Sequence, residues 1–279
     1  MYIHPGMGKT ASTFLQYSVF PKIEGLQYIQ RTRFRRSHKI IEKAKHSKYL
    51  VSGELDNRFM ERYLKVFTTT CSHARPIYLL RRHDEWIVSQ YKRYVKNGNR
   101  WTFAEFFDVE NDTGFWKKEQ LNYFPNIELL ERYFDHKPLI LFFEDLRRDP
   151  EEFIESLVNY MGAEIDISRV HLRKRNPSYN EKQLAAVFKV GSFIPMRRVK
   201  ISRHKPVNVM ANLFGNMVRY TVLNTSLLLP ASLFDSEVLR VSPEIMEKIR
   251  QAYQADWERC TGYARRNNPE LRENQTISS

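Results

Sequence analysis

The sequence predicts an α/β protein with a mostly parallel central sheet flanked by helices, and three observations predict it. Short apolar runs at 1–3, 49–55, 76–80 and 138–143 read as buried strands, and each is followed by residues at helical spacing. Residues suited to chemistry stand where those runs end: Gly6 and Gly8 after the first, Glu54 in the second, Arg81 after the third. The intervals between runs are long enough for the crossovers that parallel neighbours need.

In chain order, residues 1–3 form the first strand. Pro5, Gly6 and Gly8 form a turn, and from Thr10 a helix carries Phe14, Leu15 and Val19 on its apolar side. A short strand at 27–29 precedes R-T-R-F-R-R-S-H-K at 31–39, the densest positive cluster of the chain. That cluster reads either as a solvated face or as a clamp for an acidic acceptor or a lipid head group. A helix at 40–46 follows, then the strand ending in a polar turn at Glu54, an amphipathic helix at 59–69, and the strand at 76–80. Ile87, Tyr91, Tyr94 and Val95 then mark a helix, and the aromatic-rich stretch 101–133 reads as core before binding platform. The clearest buried strand, 138–143, leads into Glu144-Asp145 and a helix at 151–161 that stops at Gly162. Beyond it lie a basic turn at 173–180, a helix at 181–190, a second basic patch from Arg197 to Lys205, an apolar but Asn-interrupted stretch at 207–234, and a final helix at 243–263. Neither an internal repeat nor a low-complexity linker divides the chain, so 1–279 reads as a single domain. Within it, 190–240 is a lid, a membrane contact or an oligomer contact, readings that basic residues beside an apolar segment leave equal.

Composition narrows the function classes. The 279 residues are 42% hydrophobic and 13% aromatic, enough for a substantial core. Lys and Arg number 45 against 32 Asp and Glu, a net charge of +13 that favours anionic partners without naming one. Two distant cysteines, Cys71 and Cys260, supply neither a disulfide framework nor a metal knuckle, and the eight histidines lack ligand spacing. No metal is expected. No signal peptide or spanning run of some 18 to 20 apolar residues is visible, so a cytoplasmic protein, with peripheral membrane contact open, is the expectation.

A strand, a glycine turn and a helix start make an anion site, because the first backbone amides of the helix have no partner within it and lie at its positive end. Lys9 adds a charge, and Thr10, Ser12 and Thr13 add hydroxyls. Gly8-Lys9-Thr10 matches the second half of G-x-x-x-x-G-K-[ST], but the opening glycine falls on Ile3. Lys9-Thr10-Ala11-Ser12-Thr13-Phe14-Leu15 resembles instead the 5′-phosphosulfate loop of sulfotransferases that use 3′-phosphoadenosine 5′-phosphosulfate, of the bacterial and carbohydrate-modifying type. Ala11 stands where that family has Gly, and since alanine makes positive φ costly, the loop is expected to stay right-handed there. Arg81, Ser89 and Tyr91 resemble the family's 3′-phosphate motif, with Arg82 and His83 replacing its usual Asp or Asn and Pro. F-E-D-L-R-R-D-P…Y-M-G, from Phe143 to Gly162, resembles a further family segment in which the acidic pair is structural.

The resemblance implies a P-loop-like sulfotransferase fold, the phosphosulfate donor held by Lys9, Thr10, Ala11, Ser12, Thr13, Arg81 and Ser89, and a basic segment at Arg173, Lys174 and Arg175 closing over the nucleotide. It further implies Glu54 as the base that takes the acceptor's proton, with Lys9 stabilising the leaving phosphate. The acceptor is expected to be a saccharide or lipid-linked hydroxyl, with no nucleic acid involved and the oligomeric state open. Two other readings stand beside it: a magnesium-dependent phosphotransferase or hydrolase using Gly8-Lys9-Thr10 with Glu144-Asp145, and a basic module that binds nucleic acid or membrane.

Overall fold

The computed structural model describes residues 1–43, 48–55, 60–172, 179–194, 196, 202–234 and 237–268. It is an α/β fold divided into two compact units: Met1–His83, Glu119–Arg175 and Ala252–Ser279 form the first, and Asp84–Lys118 with Asn176–Gln251 the second.

The first unit is built on a five-stranded, fully parallel sheet. Its strands are β1 (Tyr2–His4), β3 (Gln27–Ile29), β4 (Tyr49–Ser52), β5 (Arg75–Leu80) and β6 (Leu139–Phe142), in the order β3-β4-β1-β5-β6. β1 pairs with β4 at Tyr2–Leu50 and Ile3–Val51, and with β5 at Ile3–Pro76. A small antiparallel ribbon joins β2 (Ile23–Glu24) to β7 (Glu164–Ile165). From β1 the chain runs to the edge at β3, returns to β4 beside β1, and then crosses to β5 and β6 on the other side, so its direction reverses next to β1, and the carboxyl end of that strand is where an open α/β sheet leaves a crevice. Leu50, Ile77, Leu79, Leu139 and Leu141 of the sheet pack against Leu15, Val19 and Phe20 of the first helix and Ile154, Leu157 and Val158 of helix Pro150–Tyr160. Pro at the first position and an Asp149 carboxylate accepting from the Glu152 amide start that helix.

Two elements depart from expectation. The first helix is α-helical only over Ser12–Phe14, then opens into a π turn over Leu15–Val19 and tightens to 3₁₀ over Phe20–Lys22. Leu15, Gln16, Ser18, Val19 and Phe20 are all buried, and a wider turn brings more of a run inward than a regular α-helix would. The final helix is two, Pro243–Ala252 and Gln254–Asn267, broken at Tyr253, whose ring stacks on His83 with centroids 4.3 Å apart. Cys71 and Cys260 are buried and free. Of the helix expected at 40–46, Ser37–Lys43 is helical and 44–46 lie outside the described residues.

In the second unit, Phe106, Phe107 and Trp116 of the 101–133 stretch are core. Half-buried Trp101 stacks on Tyr94 at 5.6 Å and meets the exposed Phe115 at 4.8 Å, beside a Thr102–Glu105 capping box. Helix Lys205–Thr225 rests on helix Glu181–Val190 through Leu223 and Val187, with Val190, Val218 and Val222 around them. No helix among the described residues is long and apolar enough to cross a membrane.

Candidate anion-binding site at the carboxyl end of the sheet

The loop after β1 is bent by left-handed residues. Gly6 has φ 63°, Lys9 φ 75° and Ala11 φ 62°, so Ala11 does not stay in the right-handed region as its side chain leads one to expect. A left-handed non-glycine residue costs on the order of 1–2 kcal/mol. Here the local bonding explains it: the Thr10 and Ser12 hydroxyls both donate to the Met7 carbonyl, at 2.8 and 2.7 Å, and the left-handed residue between them turns Ser12 back to that oxygen. Left-handed residues alternating with Thr10 curl the backbone into the kind of concavity that collects anions. The expected hydroxyl donors are therefore split. Thr10 and Ser12 are buried and spend their protons inside the loop, Lys9, Ala11 and Thr13 are half-buried, and the loop's own curvature is its clearest anion-binding feature.

Beneath the loop lies a buried polar cluster that the sequence reading missed. The His4 ring, fully buried at the end of β1, sits 2.9 Å from the Ser52 hydroxyl through Nδ1. Gln16 donates to the same hydroxyl at 3.0 Å and to the Gly53 carbonyl at 2.8 Å. Burial lowers the His4 pKa to about 4, so the ring is neutral at physiological pH. Gly53 N donates to the His4 carbonyl and Leu55 N to the Pro5 carbonyl, which zips the turn carrying Glu54 onto the β1 loop. His4 and Gln16 are polar residues inside apolar runs, a signal that is visible only once their burial is known.

Glu54 is half-buried, two residues beyond β4, and its Oε2 accepts from the Arg31 guanidinium. Arg31 opens the 3₁₀ segment Arg31–Arg36, the heart of the basic cluster, which is docked on this turn by Phe34: a Cβ at Gly53 would meet Phe34 Cε2 at 2.9 Å. One member of the cluster is thus the partner of the candidate base, while Arg33, Arg35 and Arg36 are exposed.

Arg81 stands one residue beyond β5. Its Nη1 donates to the Lys9 carbonyl at 3.3 Å, its guanidinium lies 4.5 Å from the Phe143 ring centre, and its own carbonyl accepts from the Tyr123 hydroxyl at 2.9 Å. Ser89 is half-buried on helix His83–Lys96, in the second unit. Arg173, Lys174 and Arg175 lie outside the described residues. The unusual His83 has a local role. It is sandwiched between Tyr123 at 4.0 Å and Tyr253 at 4.3 Å, and its Nε2 lies 3.2 Å from Asp256, which also accepts from the Tyr123 and Phe124 amides. Burial acts to raise the Asp256 pKa, but the His83 hydrogen bond and those two amides outweigh it and leave it lowered.

Glu144 and Asp145 open the short helix Phe143–Arg148. Glu144 Oε1 accepts from the Arg82 amide at 3.0 Å, securing the chain as it leaves β5, and Asp145 pairs with Arg148 at 3.1 Å. Burial raises the Asp145 pKa despite that arginine. Among the described residues no group of three or more His, Cys, Asp and Glu is arranged to hold a metal ion.

A scan against protein-family models finds no match, and a comparison with curated proteins finds none either. Among solved structures, a sulfotransferase from Alicyclobacillus acidocaldarius is similar to this chain at 13% sequence identity, with a TM-score of 0.46, over 68% of this chain and 91% of that one.

Proposed function

We propose that this chain is an enzyme that transfers a sulfuryl group from 3′-phosphoadenosine 5′-phosphosulfate to an acceptor hydroxyl on a saccharide or glycolipid. The observation that carries the reading is the hydrogen bond from Arg81 to the Lys9 carbonyl. It joins two motifs separated by 72 residues in sequence, the two that would hold opposite ends of the same nucleotide. An ammonium and a guanidinium at the carboxyl edge of a parallel sheet, beside a loop curled by left-handed residues, suit a donor with several anionic oxygens.

When bound, the donor supplies an activated sulfuryl group and a bisphosphate leaving group. Lys9 and the loop amides stabilise the charge that gathers on the departing 5′-phosphate, and Arg81 holds the 3′-phosphate. Arg31 engages Glu54 Oε2 and so orients the carboxylate, with Oε1 the oxygen that takes the acceptor proton as the new bond forms. Positioning and electrostatics then account for most of the rate, as in phosphoryl transfer.

Calorimetry with 3′-phosphoadenosine 5′-phosphate in metal-free buffer tests this. The wild-type chain is expected to bind it, and Arg81→Ala to weaken binding by about 1.5–3 kcal/mol, the scale of a charged hydrogen bond. Absence of binding, or preference for ATP with magnesium, overturns the reading.

A further inference from the structure

Helix Lys205–Thr225 presents an uncharged apolar face to the outside. Val207, Met210, Phe214 and Met217 follow one another at helical spacing, Leu213 and Tyr220 widen the stripe, and all are exposed, Met210 by 72%. Arg219, the one charge between 206 and 225, is turned inward and buried. Past the helix the apolar exposure continues through Leu227, Leu228 and Leu229, with Leu228 exposed by 88%. A patch of this extent is more than the scattered exposed residues of an ordinary surface.

Charge decides what covers it. No Asp or Glu occurs between Glu181 and Asp235, while Lys and Arg recur through the segment. Arg203, His204 and Lys205 are exposed at the start of the helix, and beyond its end the Lys182 and Lys189 ammonium groups donate to the Leu227 and Leu233 carbonyls. Pairing two copies through this face would bring two acid-free basic segments together in a protein whose net charge is already +13. A surface with negative head groups over an apolar interior satisfies both properties at once. We propose that this face binds an anionic lipid bilayer, the helix lying in the plane of the interface with its apolar stripe among the acyl chains. At 21 residues the helix is about 30 Å long, enough to lie along the interface as a membrane-surface helix does.

The test is co-sedimentation of the full chain with vesicles of phosphatidylcholine alone and of phosphatidylcholine mixed with phosphatidylglycerol. Binding is expected to the mixed vesicles and to fall as salt rises. Met210→Glu with Phe214→Glu should weaken it about tenfold or more. Arg203→Gln and Lys205→Gln should each weaken it about fivefold and flatten the salt dependence. The replaced side chains are exposed, so circular dichroism and melting should be unchanged; should the glutamate variant unfold, the two glutamine variants decide. Failure of the wild-type chain to bind mixed vesicles overturns the proposal. So does a dimer in sedimentation velocity that Met210→Glu with Phe214→Glu dissociates without any vesicle binding, since the occupant is then a second copy.

Discussion

The turns after β1 and after β5 both face the carboxyl edge of the sheet, and they are built on opposite plans. After β1 the backbone does the shaping. Three left-handed residues curl it, Met7 gathers two hydroxyls, and a neutral histidine with a glutamine and a serine supports it from below. After β5 the chain passes from strand to helix within two residues, and a side chain, Arg81, reaches back to the other loop. The backbone cradle is held in shape by the few side chains bonded within it, Thr10 and Ser12, whereas an arginine delivers charge at a distance and can be removed without disturbing the fold. The two turns should therefore respond differently to substitution.

The largest expected effect comes from the charge riding on the backbone turn. Lys9→Ala should lower turnover about a hundredfold or more while leaving the melting temperature within a few degrees of wild type; near wild-type turnover removes Lys9 from the chemistry. Next is the support beneath that turn. His4 titrates near 6.5 when unfolded and near 4 when folded, so between those values the unfolded state binds more protons and stability rises with pH. The contribution is complete above about 6.5 and lost as pH falls through about 4, a span worth about 3 kcal/mol. Urea titrations across that window should show the slope in the wild-type chain and a shallower one in His4→Asn; equal slopes contradict a buried neutral His4. The smallest effect sharpens the backbone side of the contrast. Ala11→Gly relieves a left-handed alanine but adds freedom to the unfolded chain, for a net gain of roughly 0.5–1 kcal/mol. A loss of stability would mean that Ala11 is not left-handed in solution.

What the sequence reveals about this site follows from how local each feature is. Strands such as Arg75–Leu80 and Leu139–Phe142 are legible because they are buried on both faces and read as continuous apolar runs. Lys9 and Arg81 stand out as candidates because they follow strand ends, where such sheets open their crevice. Long-range features are hidden. That Arg31 belongs with Glu54 depends on β3 and β4 lying side by side, and that Ala11 adopts positive φ depends on one carbonyl three residues before Thr10. His83 looks like a departure from a motif until two tyrosines, 40 residues downstream and 170 residues downstream at 123 and 253, close on its ring. The break at Tyr253 has the same origin, since helical periodicity does not register a partner so remote in sequence.

The contact between Gly53 and Phe34 has a consequence for anyone reading function from mutational scans. A methyl group at position 53 would displace the Phe34 ring, and with it the segment that carries Arg31 toward Glu54. Under the role proposed for Glu54, substitutions at 53 would then score as a lost acid although the carboxylate itself is intact, and a tolerance map would flag the glycine as strongly as the glutamate. Telling the two apart takes a compensating change at Phe34 to a smaller side chain, which should restore a Gly53 variant and do nothing for a Glu54 variant.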